Sequence, residues 1–361
     1  ATNYNVTLFG SLALTGKGHL TDKIIYDLLG EKRTKIVFNT TTFKEHPNTM
    51  IIKVFKKELL LANLEIISIG GGSIVINGKS FDNLGRTYPF SSFNEIKKYC
   101  IENNLSLAEI VYKYEDKNFK KYLNEVWLSM IESIKNGINA DGELPGGLHV
   151  VRKAQKLFAS IDSSSNDVGL QSLSAYAFAV SEENASGGKI VTAPTCGSSG
   201  VLPAVLYYMF KNQKYKKEQI LDALAVAGVI GNVVKTNASI SGACAGCQSE
   251  IGTACAMAAS AVAFLKNQDI EEIEYAAEIA LEHHLGLTCD PIKGLVQIPC
   301  IERNAVAAMR AIDSAKLAHL LAGTRKISFD TVVETMYETG KDINLKYRET
   351  SLAGLAKNYY E

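Results

Sequence analysis

The chain changes character near residues 85–92, and that change limits what it can fold into. Up to about Tyr88 it is built from short β-branched runs: Val6–Phe9, Lys35–Phe38, Ile51–Phe55, Glu65–Ile69 and Ile74–Ile76. Such residues suit a pleated, half-buried surface. Between them, Thr21–Leu29 and Lys56–Asn63 carry apolar residues at helical spacing. From Ser91 onward helical periodicity runs almost without interruption, in segments rich in Ala and Leu such as Ile220–Gly231 and Glu271–His284. Ser92 followed by Glu95 forms a capping box that opens the first of them. The expectation is an α+β chain: a small N-terminal α/β domain over residues 1–88, then a larger all-α domain over residues 89–361. Gly70-Gly71-Gly72 lies between two strand runs and predicts a hairpin turn with a bulge. It opens no helix, so it is not a dinucleotide-binding fingerprint.

Lysine plus arginine and aspartate plus glutamate number 38 each. No global field therefore points to a nucleic-acid or membrane partner. The longest apolar stretches fall short of the roughly 18 residues a membrane span requires, and no signal-peptide pattern opens the chain. Seven cysteines, an odd number in 361 residues, do not make a secreted disulfide framework. The consistent compartment is a reducing cytoplasm.

Four polar, glycine-rich segments interrupt the apolar helices: Ser181–Gly188, Thr192–Gly200, Thr236–Gly242 and Leu287–Gly294. Hydroxyls, amides and glycines on loops between buried helices are the usual lining of a small polar pocket. Thr192–Gly200 runs into the helix Val201–Tyr207, so free N–H groups with Ser198 and Ser199 would face an anion bound there. Taken alone, the same loop reads as a well-capped helix start.

Cys247, Cys289 and Cys300 each have Gly or Pro within two residues, as a backbone bending around a cofactor requires. Three thiolates suit an iron–sulfur cluster with one iron left open, and an open iron is a Lewis acid. The plainer reading of any cysteine is a small buried hydrophobe. Cys255, in an apolar helical run, and Cys100, near the end of an amphipathic helix, fit that reading. Cys244-Ala-Gly-Cys247 has a C-x-x-C look, but no second such pair completes a tetrahedral zinc site.

These segments together resemble the iron–sulfur-dependent L-serine dehydratases. The resemblance is carried by T-A-P-T-C-G-S-S-G-V-L-P-A-V, N-A-S-I-S-G-A, G-C-Q-S-E-I-G, E-H-H-L-G-L-T-C-D-P-I-K-G-L-V-Q-I-P-C-I-E-R-N and K-Y-R-E-T-S-L-A-G-L-A. Toward the front it continues through Leu8–Lys23, His46–Met50 and Ser68–Ser73. It implies a 4Fe–4S cluster held by Cys247, Cys289 and Cys300. It also implies elimination of water from L-serine to an enamine, which becomes an imine and hydrolyses to pyruvate and ammonia, in a cytoplasmic homodimer. Cys196 stands where other members place an asparagine, so it is not expected as a ligand. Family members begin with an S-S-S-H-T segment, and those of the fused type end in a cysteine that reaches the cluster. This chain has neither, and its passage through Leu29–Lys32 is shorter than theirs.

On this resemblance the substrate carboxylate would sit against Thr195, Ser198 and Ser199. Asn237, Ser239 and Ser241 would partner the ammonium group. His19, flanked by glycines in Gly16–Leu20, is the best candidate base among the histidines; its plainer reading is a solvent-facing turn residue. Thr15–Leu20 is richer in glycine than packing demands, which points to a site between the two parts. His283 or His284 could donate to a cluster sulfide. Glu302 and Arg303 read as a cap and a surface charge. Two other classes stay open. One is a pyridoxal-phosphate dehydratase using Lys153 or Lys235, and the other is a non-catalytic iron–sulfur or amino-acid-binding sensor.

Overall fold

The computed structural model describes residues 2–80 and 87–359. Six strands form the front sheet: β1 (Thr2–Phe9), β2 (Thr34–Asn39), β3 (Thr49–Lys56), β4 (Leu59–Gly70), β5 (Ser73–Ile76) and β6 (Lys79–Ser80). Their order is β2-β1-β3-β4-β5-β6, with only the β1–β2 pair parallel. That parallel pair needs a crossover, made by helices α1 (Gly10–Leu14) and α2 (Thr21–Leu29). One face of the sheet presents Val6, Leu8, Ile36, Phe38, Met50 and Ile52 to Leu12, Ala13, Ile25 and Leu29 of the crossover. The period-two alternation of the strands sets this sidedness.

The helix expected over Lys56–Asn63 is absent. Lys57 takes φ 55°, the chain reverses, and Leu59–Gly70 pairs antiparallel with β3. Three consecutive leucines gave that segment a helical look, yet Leu59, Leu60 and Leu61 are exposed and a cross-strand ladder holds the backbone. Cross-strand pairing around the Lys57 turn overrides helical patterning here. The glycine turn behaves as expected, with a register shift between Ser68 and Gly70. The expected boundary at 88/89 lies just past residues 81–86, which fall outside the described residues.

The rest of the described chain is helical: α3 (Phe93–Asn103), α4 (Leu107–Tyr114), α5 (Phe119–Asn139), α6 (Ala154–Ala159), α7 (Val168–Ala185), α8 (Val201–Lys211) and α9 (Lys217–Asn237). Then come α10 (Gly242–Ala245), α11 (Thr253–Leu265), α12 (Ile270–Glu282), α13 (Cys300–Leu320), α14 (Phe329–Asp342) and α15 (Gly354–Asn358). Ser92 caps α3 and forms the box with Glu95. The centre is α11, whose small residues let α8, α9, α12 and α13 pack around it. Cys255 lies on it, fully buried, with its thiol directed at the Ala307 carbonyl. Helix α9 is long and apolar enough to cross a bilayer, more than the sequence patterning suggested. About 67% of its apolar window is buried inside the fold, which makes it a core helix.

Candidate active site

Three separate segments bring the expected cysteines to one cavity of about 320 Å³. Cys247 follows α10 and Gly246 and heads the wide turn Gln248–Gly252 that leads into α11. Cys289 sits in the loop after α12. Its N–H donates to the Tyr347 carbonyl at 2.8 Å, and its own carbonyl accepts from Glu349 N–H at 2.7 Å. A strap near the C-terminal end of the described chain therefore runs beside it. Cys300 is the first residue of α13. The sulfurs of Cys247 and Cys289 and a carboxylate oxygen of Glu250 lie within 4.8 Å of one another. The hydrogen bond from Cys247, burial and neighbouring carboxylates push the Cys289 thiol well up. Burial does the same to Cys300, with Cys247 and Glu250 adding to it and Arg303 opposing. Cys289 and Cys300 thus keep their protons until a metal displaces them.

Two half-buried acids face the same space. Burial, with the charge of Glu349, raises Glu250 to about 8; the Thr195 hydroxyl, donating at 2.6 Å, and Arg303 oppose the rise. Glu349 is pushed up to about 7 by burial, against the Ser11 hydroxyl and the Ala243 N–H. Gly242 lets this wall close in, since a Cβ there would meet the Glu250 carboxylate at 2.4 Å and the Cys289 sulfur at 3.4 Å.

The front part reaches the cavity through Gly18, His19 and Leu20. Loss of hydration in the cleft lowers His19 to about 4, although 32% of its side-chain surface stays accessible. Its Nε2 stands 3.5 Å from Glu349 Oε1. Its Nδ1 lies 3.4 Å from Thr15 Oγ1, whose own proton is given to the Ser11 carbonyl at 2.9 Å. Thr15 can then only accept, so Nδ1 carries the imidazole proton and Nε2 keeps a lone pair. The glycines beside His19 do serve packing, contrary to the sequence reading. A Cβ on Gly18 would stand 2.1 Å from the Gly294 carbonyl of the helical part.

The family profile "Serine dehydratase alpha chain" matches residues 98–356. The chain belongs to the serine dehydratase family. Curated relatives agree over nearly its whole length. It is 39% identical to L-serine dehydratase 1 of Escherichia coli K12 over 98% of this chain and 89% of that one. It is 41% identical to an L-serine dehydratase of Helicobacter pylori over 98% and 89%. A Streptomyces coelicolor L-serine dehydratase is 36% identical over 99% and 90%. The first alignment spans 406 positions against 361 residues here, so that relative carries residues inside the matched stretch that this chain lacks.

Within this serine dehydratase fold the remaining expected residues divide. Thr195 lines the cavity, as does Ser241. Ser198 and Ser199 are buried and absent from the lining; the Ser198 hydroxyl donates to the Ala193 carbonyl at 3.4 Å. Asn237 spends its amide on the Ser91 and Val233 carbonyls. Ser239 accepts from Ser241 N–H. Both of these residues stand outside the described lining. His283 and His284 turn Nδ1 to the carbonyls of Ile279 and Ala280 and likewise stay off the wall. Lys153 pairs with Glu302 and Lys235 approaches Ser73, so neither reaches the cavity. Glu302, read as a cap, makes no cap hydrogen bond and is instead an exposed charge paired with Lys153. Arg303, read as a surface charge, is not one: its side chain is only 18% exposed and faces Cys247.

Sequence reasoning missed Glu250 and Glu349 as site residues, along with Asn48, Ser68 and Asn184. A signal existed for the acids. Each lies inside a quoted motif, G-C-Q-S-E-I-G and K-Y-R-E-T-S, and an acid among small or hydroxyl residues in an apolar domain invites a reason.

Proposed function

We propose that this protein is an L-serine dehydratase, eliminating water from L-serine and releasing pyruvate and ammonia, with a 4Fe–4S cluster held by Cys247, Cys289 and Cys300. One observation carries the reading: three thiols from three segments share a cavity with a neutral histidine and two half-buried carboxyl groups. The donor set fits such a cluster, being soft, with Cys247 and Cys289 buried and their sulfurs within 4.8 Å of each other. When bound, an iron–sulfur cluster with one open iron supplies a Lewis acid for the departing β-hydroxyl.

The chain's own residues would do the rest. His19 takes the α-proton at Nε2, and Glu349 at 3.5 Å steadies the imidazolium that results. Thr15 holds the ring in the required tautomer. Glu250, fixed by Thr195, offers an acceptor for the substrate ammonium, the role the sequence reading gave to Asn237, Ser239 and Ser241. Closure of the front part over the helical part, at Gly18 against Gly294, excludes water from the enamine product before it hydrolyses. We take residues 1–88 and 89–361 as the two domains that meet there. Exposed Val306, Leu317 and Leu320 along α13 support a homodimer in which a second copy covers them. A cytoplasmic location follows from the need to keep such a cluster reduced.

Anaerobic reconstitution with iron and sulfide, followed by assay of pyruvate from L-serine, tests the reading. Pyruvate formation that depends on bound iron is expected. Iron-loaded protein that binds serine without turnover would make it a sensor, and activity requiring pyridoxal phosphate would overturn the cluster chemistry.

A further inference from the structure

Arg303 lies within the first turn of α13, three residues after Cys300. Its Nη1 donates to the Thr288 carbonyl at 2.6 Å, and its Nη2 lies 3.8 Å from Asp290 Oδ1. Those two residues flank Cys289. One side chain rooted beside a ligand cysteine thus grips the chain on both sides of another. Asp290 is itself fixed, accepting the Thr288 hydroxyl at 3.2 Å and the Leu355 N–H at 2.6 Å. The guanidinium also lies close enough to the Cys247 side chain to feel its charge, so it bears on all three cysteine segments.

Charge makes the same point. Deprotonated, the three cysteines add three negative charges to a cavity already holding Glu250 and Glu349. The described residues lining that cavity include no lysine or arginine. Even set against the positive core of a bound cluster, three thiolates leave the site net negative, and Arg303, just behind the wall, supplies a cation there. An arginine is well matched to this, because its planar fork bonds two groups at fixed angles and it stays charged when buried.

We propose that Arg303 is a positioning residue that clamps the 288–290 segment to the start of α13 and offsets the thiolate charge. It thereby sets how firmly the iron–sulfur cluster is held and at what potential. This rests on reading Cys247, Cys289 and Cys300 as its ligands.

The test uses the reconstituted full chain as wild type, Arg303→Gln, Arg303→Lys and Asp290→Asn. Iron and sulfide per chain, the rate of iron release to a chelator, and the cluster midpoint potential are measured, with circular dichroism confirming each fold. Partners one step out from a metal site typically matter by roughly 10- to 100-fold in affinity. Arg303→Gln should release iron about 10-fold faster or more and move the potential negative, since a positive charge has gone. Arg303→Lys should recover the potential while still releasing iron quickly, because the charge returns without the fork. Asp290→Asn should speed release without a negative shift. A folded Arg303→Gln that takes up no cluster supports the clamp in its strongest form. Wild-type release and potential in Arg303→Gln would overturn it. Wild-type protein that takes up no iron would instead overturn the ligand reading, and this inference with it.

Discussion

His19 Nε2 and Glu349 Oε1 stand 3.5 Å apart, although 330 residues separate them and they come from opposite ends of the chain. The sheet part supplies the imidazole and the strap beside Cys289 supplies the acid. Neither part holds the pair alone. His19→Ala should lower kcat by roughly 10²- to 10⁴-fold, the usual worth of a positioned base. Iron content and melting temperature should stay near wild type. Iron loss parallel to activity loss would show that the histidine supports the cluster rather than the proton transfer.

The same histidine gives a pH expectation. Its folded pKa, about 4, lies below the ordinary 6.5. Between those values the unfolded chain binds the extra proton, so stability rises with pH across that window and falls as the solution is acidified. His19→Ala should flatten this part of the stability profile. Urea midpoints measured from pH 4 to 7 in both proteins check the sign.

Cysteine exchange separates ligands from packing. Cys289→Ser should lose iron and activity together. Cys255→Ser should keep its iron and cost about 1–3 kcal/mol of stability, because a hydroxyl would replace a fully buried thiol inside α11. Equal iron loss in both variants would show the ligand assignment to be wrong. Iron analysis after anaerobic desalting, with thermal melts, reads both.

Legibility in the sequence followed the range of the interactions involved. Period-two runs and the Ser92–Glu95 box are local, so the strands from Val6, Lys35, Ile51 and Glu65 and the start of α3 stood out. The three cysteines announced themselves by the glycines and prolines that bend the chain around them. Leu59–Leu61 misled because the ladder that holds them closes beyond them, out to Thr49 paired with Ile67. Arg303 misled for the same reason: its partners Thr288 and Asp290 lie across a loop, and helix position alone suggests solvent. Asn237 and Ser239 looked like pocket residues because they are polar and near glycine. Local hydrogen bonds to Val233 and Ser241 absorb them instead. Glu250 and Glu349 could be placed only once α10, α13 and the strap had closed one cavity.

A last expectation concerns the buried ion cluster that ties α12 to its neighbours. The Glu274 side chain is fully buried, with Lys97 at 2.8 Å, the Arg325 guanidinium against it, and Phe329 N–H donating at 3.1 Å. Burial alone would raise its pKa, but bonds to Arg325, Lys97 and the Phe329 amide outweigh that, and the net shift is downward from 4.5. A depressed carboxyl pKa gives stability that is present above the unfolded value and lost as pH falls through the folded one. Acid unfolding should therefore set in below about pH 4.5. Glu274→Gln removes the buried charge and leaves Lys97 and Arg325 with only the more exposed Glu271 as partner, a loss of up to about 3 kcal/mol. Because that variant no longer titrates there, its stability should fall less steeply between pH 5 and 3 than the wild type does. Urea unfolding at several pH values distinguishes the two profiles. A variant as stable as wild type at pH 7 would mean that the cluster contributes little net energy, its desolvation cost having matched its attraction.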